Sequence, residues 1–480
     1  MVSSSGLRDA LSQHFGFSGF RPGQEAIVRS VLEGRNTVAV MPTGAGKSLC
    51  YQLPAMLLPG TCLVVSPLVA LMKDQVDALS AKGIPATFVN SSIGEAERAE
   101  RIQKLREGAY KLVYVAPERF RSPQFLRAIQ GTSISLYAVD EAHCISQWGH
   151  DFRPDYMQLG KVRRALLPPR TLALTATATP EVRADIVRVL RMKDPRIFVA
   201  GFDRPNLFFQ AVEVEDEREK FREVLRACRL GGGVVYCATR RDVERVASRL
   251  AEAGVFALAY HAGMSEEGRR RIQDAFMAEE DAVVCATNAF GMGVDKPSIR
   301  FVAHWSLPRS IEAYYQEAGR AGRDGKPALA LLLYRESDVR LQQRMIYGSH
   351  PSRELLHKLW KSLLRHGSGP ISASPKELAD GVGSPYEVAS ALKHLEKAGR
   401  LGRGPGGYVL LRADEPLGDE VEAIAARRRH ELSMLDEMVR YVHRGTCRRA
   451  HLLTYFGEGS EEECEGCDVC VGRPWAALCA

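Results

Sequence analysis

Short apolar runs, each bounded by polar or turn residues and followed by helix-like sequence, recur through the first 200 or so residues. They are Thr37–Met41, Cys62–Ser66, Leu112–Ala116, Leu136–Asp140 and Thr171–Thr175. Runs this continuously apolar, rather than alternating, predict strands covered on both faces, as in a parallel sheet flanked by helices. The pattern resumes after Asp203-Arg-Pro-Asn206, with Gly233–Cys237, Ala282–Ala286, Arg300–His304 and Ala328–Tyr334. Two α/β units of similar size are therefore expected, joined by a short Pro-containing linker.

Beyond about residue 350 the pattern changes to helical and basic. Ser374-Pro-Lys-Glu-Leu and Ser384-Pro-Tyr-Glu each carry a Ser cap, Pro at the first helical position and Glu at the third, so each predicts a helix start. The second continues with Val388, Leu392 and Leu395 on one apolar face, and Lys393, Lys397 and Arg400 repeat the spacing further round. Gly402–Leu411 reads as a Gly-rich hairpin. Helices followed by a hairpin give the layout of a winged helix, in which Lys393 and Lys397 would face nucleic acid, with plain solvation of the helix or protein contacts as the alternatives.

Composition narrows the class. The chain has 480 residues, 45% hydrophobic and 26% charged, which fits two to four packed domains and excludes wholesale disorder. Its 65 basic and 58 acidic residues leave +7, an excess that permits a nucleic-acid partner without requiring one. No apolar run approaches the roughly 18 residues needed to cross a bilayer, and the first residues lack an apolar leader. No membrane partner is expected, and the cytoplasm is the expected location, in association with the nucleoid if the source is bacterial. Of eleven cysteines, Cys50, Cys62, Cys144, Cys228, Cys237 and Cys285 are scattered and read as buried free thiols.

The chemistry concentrates at a few places. Met41-Pro-Thr-Gly-Ala-Gly-Lys-Ser48 follows a predicted strand and precedes a helix. Gly44 and Gly46 let backbone N–H groups curl round phosphates, Lys47 reaches the terminal phosphates of a nucleotide, and Ser48 offers a hydroxyl to Mg²⁺. One position departs from the general pattern: Met41 stands where a Gly is usual. Asp140-Glu-Ala-His143 ends a later strand, where Asp140 can hold Mg²⁺ through water and Glu141 can polarise an attacking water. In the second unit, Arg320 and Arg323 are separated by Ala and Gly, small enough to approach a neighbouring surface and clamp a transferring phosphoryl group. Near the end of the chain, Cys447 precedes the tight triplet Cys464, Cys467 and Cys470. Four thiolates so spaced favour a closed, structural Zn²⁺ site over disulfides. Arg440, Arg444, Arg448 and Arg449 lie nearby as a candidate duplex-facing patch.

These motifs together resemble superfamily 2 helicases with a DEAH box, and within them the RecQ family of DNA helicases. The resemblance implies two RecA-like parallel-sheet domains, at 1–203 and 204–345, then the winged-helix-like stretch at 346–412 and a helical zinc-binding domain at 413–480. By it, Phe15–Gln24 is similar to the adenine-recognising segment, with Arg21 and Gln24 reading the base, and Thr43 joins the phosphate loop. Ser66–Gln75 resembles the segment that touches the DNA backbone through Ser66. Thr175-Ala-Thr177 resembles the motif coupling hydrolysis to strand movement, and His143 joins the catalytic set. Tyr260–Gly263 and Thr287–Asp295 match later motifs, with Asp295 on the nucleotide side. The loop Cys144–Tyr156 is similar to the aromatic-rich loop that senses single-stranded DNA. It offers Gln147, Trp148, His150, Phe152 and Arg153, and its chemistry agrees: Trp148, Phe152 and Tyr156 can stack on bases while His150 and Arg153 meet phosphates.

The chain departs from the usual family order in placing the winged helix before the zinc module, with no room expected for an HRDC domain. Tyr408 at the hairpin is a candidate wedge. The implied activity is ATP- and Mg²⁺-dependent unwinding of DNA, 3′ to 5′, in repair and recombination, on single-stranded and duplex DNA. A helicase on RNA or RNA–DNA hybrids, or an ATP-gated binding and annealing protein, are the alternatives. Protein partners are left open.

Overall fold

The computed structural model describes residues 4–475 apart from Thr43, Leu68, Gln147, His150, Ala200, 292–295, 368–369, 405–406 and 460–462. Seven strands form the first sheet: β1 Thr37–Val40, β2 Thr61–Val65, β3 Ala86–Val89, β4 Leu112–Val115, β5 Ile134–Val139, β6 Thr171–Thr175 and β7 Arg196–Val199. Their order is β3-β4-β2-β5-β6-β1-β7, with every neighbour pair parallel. The five predicted runs are all here. β3 and β7 were missed because they lie at the sheet's two edges and read less apolar: β3 alternates, and Arg196 and Ile197 of β7 are exposed.

Parallel order places all carboxyl ends on one edge, where the loops that bind ligands gather. β6 lies between β1 and β5. The phosphate loop after β1, the acidic motif after β5 and Thr175 at the end of β6 therefore emerge side by side. Helices such as Gln24–Leu32 and Leu49–Leu57 cover the sheet and join Val64, Leu112 and Leu174 in one core.

The second sheet has six strands: β8 Leu207–Glu213, β9 Gly233–Tyr236, β10 Ala257–Tyr260, β11 Val283–Ala286, β12 Phe301–His304 and β13 Ala328–Tyr334. Its order is β10-β11-β9-β12-β13-β8. β8 and β10 were not predicted from the sequence. Helix Ile311–Ala318 follows β12 and leads directly into Arg320 and Arg323.

By internal contacts, the chain divides into one unit holding both sheets and the zinc module, and a second comprising 307–311 and 334–443. This differs from the expected divisions at 345/346 and 412/413. The long helix Asp419–His443 packs on the helices Glu336–Ser349 and Arg353–Arg365, adding Val421 and Ile424 to their core with Trp360, Leu392 and Leu395. Within this unit, helix Pro385–Lys397 starts at Ser384 with a complete capping box. The hairpin of β14 Leu401–Gly404 and β15 Gly407–Leu410 follows, bridged once more at Ile371. That is the winged-helix layout, with one correction. The start at Ser374 makes its cap, Ser374 N donating to Glu377 Oε2 at 2.7 Å, but is followed only by turns, with Gly381 in a left-handed φ of 65°. Among the described residues, no helix is long and apolar enough to cross a membrane.

Candidate functional site: a phosphate loop, an acidic pair and a reaching arginine

The loop after β1 is shaped for phosphate. Gly44 and Gly46 take φ of 84° and 74°, a region other residues enter only with strain. A Cβ on Gly46 would stand 2.6 Å from the Gln24 side-chain nitrogen. Gln24 donates that nitrogen to the carbonyls of Ala45 and Gly46, both at 3.0 Å, and accepts from Arg21 N at 2.8 Å. Arg21 itself donates to Gly44 O. Both adenine-reading candidates thus brace the loop. Lys47 donates to Met41 O and Pro42 O at 3.3 and 3.4 Å, folding back over the turn, and Ser48 stands at the start of the following helix without a side-chain cap bond.

Opposite it, Asp140 and Glu141 lie at the end of β5. Burial first, then the neighbouring Glu141 carboxylate, raise the Asp140 carboxyl to about 7, against the pull of Lys47. Packing around the Lys47 ammonium pushes it below its ordinary value, while Glu141 and Asp140 act to restore it. His143, buried, joins Thr175 Oγ1 at 2.8 Å and Glu141 Oε2 at 3.3 Å. Burial opposes its protonation, but Cys144 and Glu141 outweigh that and hold the imidazole well above its ordinary value. Thr175 Oγ1 also donates to Thr177 O at 3.1 Å, so acid, histidine and coupling motif form one chain of contacts.

The two arginines part company. Arg323 crosses to the first sheet's domain: its Cγ lies 3.3 Å from where a Cβ on Gly44 would stand, close enough to lower Lys47 by charge. Arg320, buried, turns into its own domain and donates to Gly291 O, beside Tyr236.

In the aromatic loop, Trp148 is 45% exposed and Phe152 half-buried, so their ring faces are partly open. Tyr156 is a correction. It is fully buried and donates its hydroxyl to Asp140 O at 3.0 Å, so it ties the loop to the acid instead of stacking on bases. Arg153 pairs with Asp151 at 3.0 Å and donates to Pro67 O at 3.1 Å, next to Ser66, which is buried with no hydroxyl partner among the described residues. Ser66 is therefore not a surface contact in this arrangement. Thr43, Gln147, His150 and Asp295 lie outside the described residues.

At the far end of the same unit, ligand atoms of Cys447, Cys464, Cys467 and Cys470 all lie within 4.8 Å of one another. Ala450 N and Cys470 N donate to the sulfurs of Cys447 and Cys467. Burial opposes ionisation of Cys467, yet the N–H groups of Cys470 and Arg448 hold it below its ordinary value.

Residues 21–186 match the DEAD/DEAH box helicase family, 218–325 the helicase conserved C-terminal domain, and 412–471 the RecQ zinc-binding family. The probable ATP-dependent DNA helicase RecS of Bacillus subtilis is 38% identical over 466 residues, 95% of this chain and 90% of that protein. The chain belongs to the RecQ helicase family. It is 39% identical to the ATP-dependent DNA helicase RecQ of Pasteurella multocida over 97% of its own length, and 47% identical to that of Bacillus subtilis over 71%. It spans 62% and 58% of those two proteins. Helicase Lhr of Mycobacterium smegmatis, bound to ssDNA and AMP-PNP, superposes with a TM-score of 0.57 at 19% identity, over 89% of this chain and 62% of that one. Saccharomyces cerevisiae Dbp5, bound to RNA and ADP BeF3, gives 0.57 at 17%, over 72% and 93%. These two share the fold.

The RecQ groups fit the residues present. The N–H groups of Gly44, Gly46, Lys47 and Ser48 donate to no described residue, as a phosphate cradle requires. A half-buried carboxylate pair with Asp140 raised to about 7 is relieved by a divalent cation, which Asp140 and Ser48 would hold. Four converging thiols suit tetrahedral Zn²⁺ with no open position. Of the basic patch expected around this RecQ zinc module, Arg440 and Arg444 stay exposed, while Arg448 and Arg449 are drawn away from solvent. Arg448 is buried against Asp468 at 2.5 Å, and Arg449 binds Asp203 at 2.9 Å and Leu207 O at 3.0 Å. Arg400 is likewise buried, on Glu420 at 2.8 Å, while Lys393 and Lys397 stay exposed. Tyr408 is 8% exposed under the Arg403 guanidinium, so it is packed and not a protruding wedge.

Proposed function

We propose that this chain is an ATP- and Mg²⁺-dependent DNA helicase that moves 3′ to 5′ along one strand, in DNA repair and recombination. The observation that carries the reading is Arg323 of the second domain lying against Gly44 of the phosphate loop in the first. A nucleotide in that loop is thereby touched from both domains, so binding favours their closure and loss of the terminal phosphate releases it.

Each residue then has a task. The cradle and Lys47 hold the phosphates, and Arg323 meets the charge that develops on the transferring group. Mg²⁺ would supply Lewis-acid neutralisation of the phosphate oxygens. Glu141 orients and accepts a proton from the attacking water, and His143 holds Glu141 while passing its position to Thr175. Trp148 and Phe152 stack on the bases of the tracked strand. Their loop reaches the acid through Tyr156, so strand binding is felt where hydrolysis occurs. The zinc module serves as a structural staple. Relatives named as ATP-dependent DNA helicases support DNA as the polymer.

The test is strand separation on matched DNA and RNA–DNA duplexes with 3′ or 5′ tails, with and without ATP. Unwinding of 3′-tailed DNA only with ATP is expected. Equal or better unwinding of the hybrid alone would move the substrate to RNA, and ATP-independent annealing without unwinding would overturn the motor.

A further inference from the structure

The segment between the two sheets, expected only to connect them, is one of the most heavily bonded stretches of the chain. Gly201 takes a φ of 80° beside Pro42 of the phosphate loop, 3.4 Å from its would-be Cβ. Phe202 is buried. Its N–H donates to Glu458 Oε2 at 3.0 Å, its carbonyl accepts from Tyr315 Oη at 2.5 Å, and its ring stacks on Phe456 at 4.5 Å. Asp203 holds Arg449. This end of the strap is therefore fastened to the zinc module.

The other end grips the arginine loop. Arg204 donates through Nη1 to Gly319 O at 3.1 Å and through Nη2 to Ala321 O and Gly322 O at 2.9 and 3.1 Å. Asn206 Nδ2 donates to Gly322 O at 2.8 Å and Lys326 O at 2.9 Å. A Cβ on Gly322 would stand 2.4 Å from that nitrogen, so the close approach needs glycine. Among the described residues no carboxylate pairs with Arg204. A cation with three carbonyls and no counter-charge is a costly way to add stability, but its planar fork fixes several peptide planes at once. Those planes flank Arg320 and immediately precede Arg323, so their orientation sets where both guanidinium groups point.

We infer that Arg204 and Asn206 are positioning residues for the arginine loop, fastening it to the segment on which the two domains turn. The inference rests on the helicase reading and deepens it. Through these bonds the strap fixes where Arg323 lies against Gly44, while its opposite end is held by Phe456 and Glu458. Neither Arg204 nor Asn206 touches the nucleotide in this account; each acts through the loop.

The test compares Arg204→Lys, Arg204→Gln and Asn206→Ala with the unaltered chain, at saturating single-stranded DNA. Lys keeps the charge and loses the fork; Ala at 206 keeps the whole Arg204 anchor, so a folded variant is available. Steady-state kcat should fall roughly 10- to 100-fold for Arg204→Gln, less for Arg204→Lys and Asn206→Ala, with KM for ATP and fluorescent-nucleotide binding changed less than about threefold. The Arg204→Gln/Arg323→Ala pair should be slowed by much less than the product of the two single losses, because one of the two guanidinium groups that Arg204 positions is already gone. Folded variants with unchanged kcat, or a double variant slowed by the full product of the two, would overturn the strap while leaving the helicase reading intact. An unaltered chain with no DNA-stimulated hydrolysis would overturn both.

Discussion

The acidic site after β5 and the arginine-rich zinc module treat buried charge in opposite ways. In the first, Asp140 and Glu141 sit side by side and half-buried, Glu141 leaning on His143, and the crowding shows in the Asp140 carboxyl raised to about 7. In the second, each buried cation has found its anion: Arg448 with Asp468, Arg449 with Asp203. Like charges left crowded mark a place that awaits a ligand, while charges paired off mark a place that holds the fold. In the amino-acid sequence the two looked alike, as clusters of one sign.

The largest way to break this contrast is at the zinc cluster. Cys467→Ser should release the metal and unfold its surroundings, since structural zinc contributes on the order of 10 kcal/mol in small modules. Metal content and protease sensitivity report it together, and full zinc occupancy would remove Cys467 from the ligand set. Next comes Arg448→Ala. Removing one partner of a buried pair should cost roughly 3–5 kcal/mol in denaturant unfolding, with little change in the salt dependence of DNA binding; a steep fall in that dependence would return Arg448 to the DNA-facing patch.

The C-terminal unit offers a pH version of the same pairing. Burial alone would raise Glu431, but the hydrogen bond from His350, then the charges of His350 and Arg427, bring it down to about 2. A carboxyl lowered on folding stabilises above its unfolded value near 4.5, and that contribution is lost as pH falls from there toward about 2. Unfolding followed from neutral pH to about pH 3 should lose stability less steeply in Glu431→Gln; identical slopes would show that the pair contributes nothing. The smallest effect belongs to exposed charge. Lys393→Ala and Lys397→Ala should leave stability alone and each reduce the salt slope of DNA binding by about one, and an unchanged slope would take that helix off the DNA.

What the sequence showed and what it hid divides along the same line. Strands covered on both faces, such as β1 and β5, announce themselves by unbroken apolar runs, whereas edge strands β3 and β7 tolerate Thr87 or Arg196 and pass unnoticed. Gly44, Lys47 and Asp140 were legible because the chemistry fixes both residue type and local spacing. The partners of Arg448, Arg400 and Tyr156 were not, since each contact joins positions 16 or more apart in sequence, and spacing along a chain carries no such information. Arg204 was hidden for the same reason: its carbonyl partners lie 115 to 118 residues away.

The central claim is that an arginine from the second domain completes the phosphate site of the first. Single-turnover and steady-state ATP hydrolysis by Arg323→Ala, with saturating single-stranded DNA, tests it most directly. The account predicts a loss of roughly 10³- to 10⁵-fold in kcat, with nucleotide binding held by the intact loop. Hydrolysis within a few-fold of the unaltered chain would contradict it.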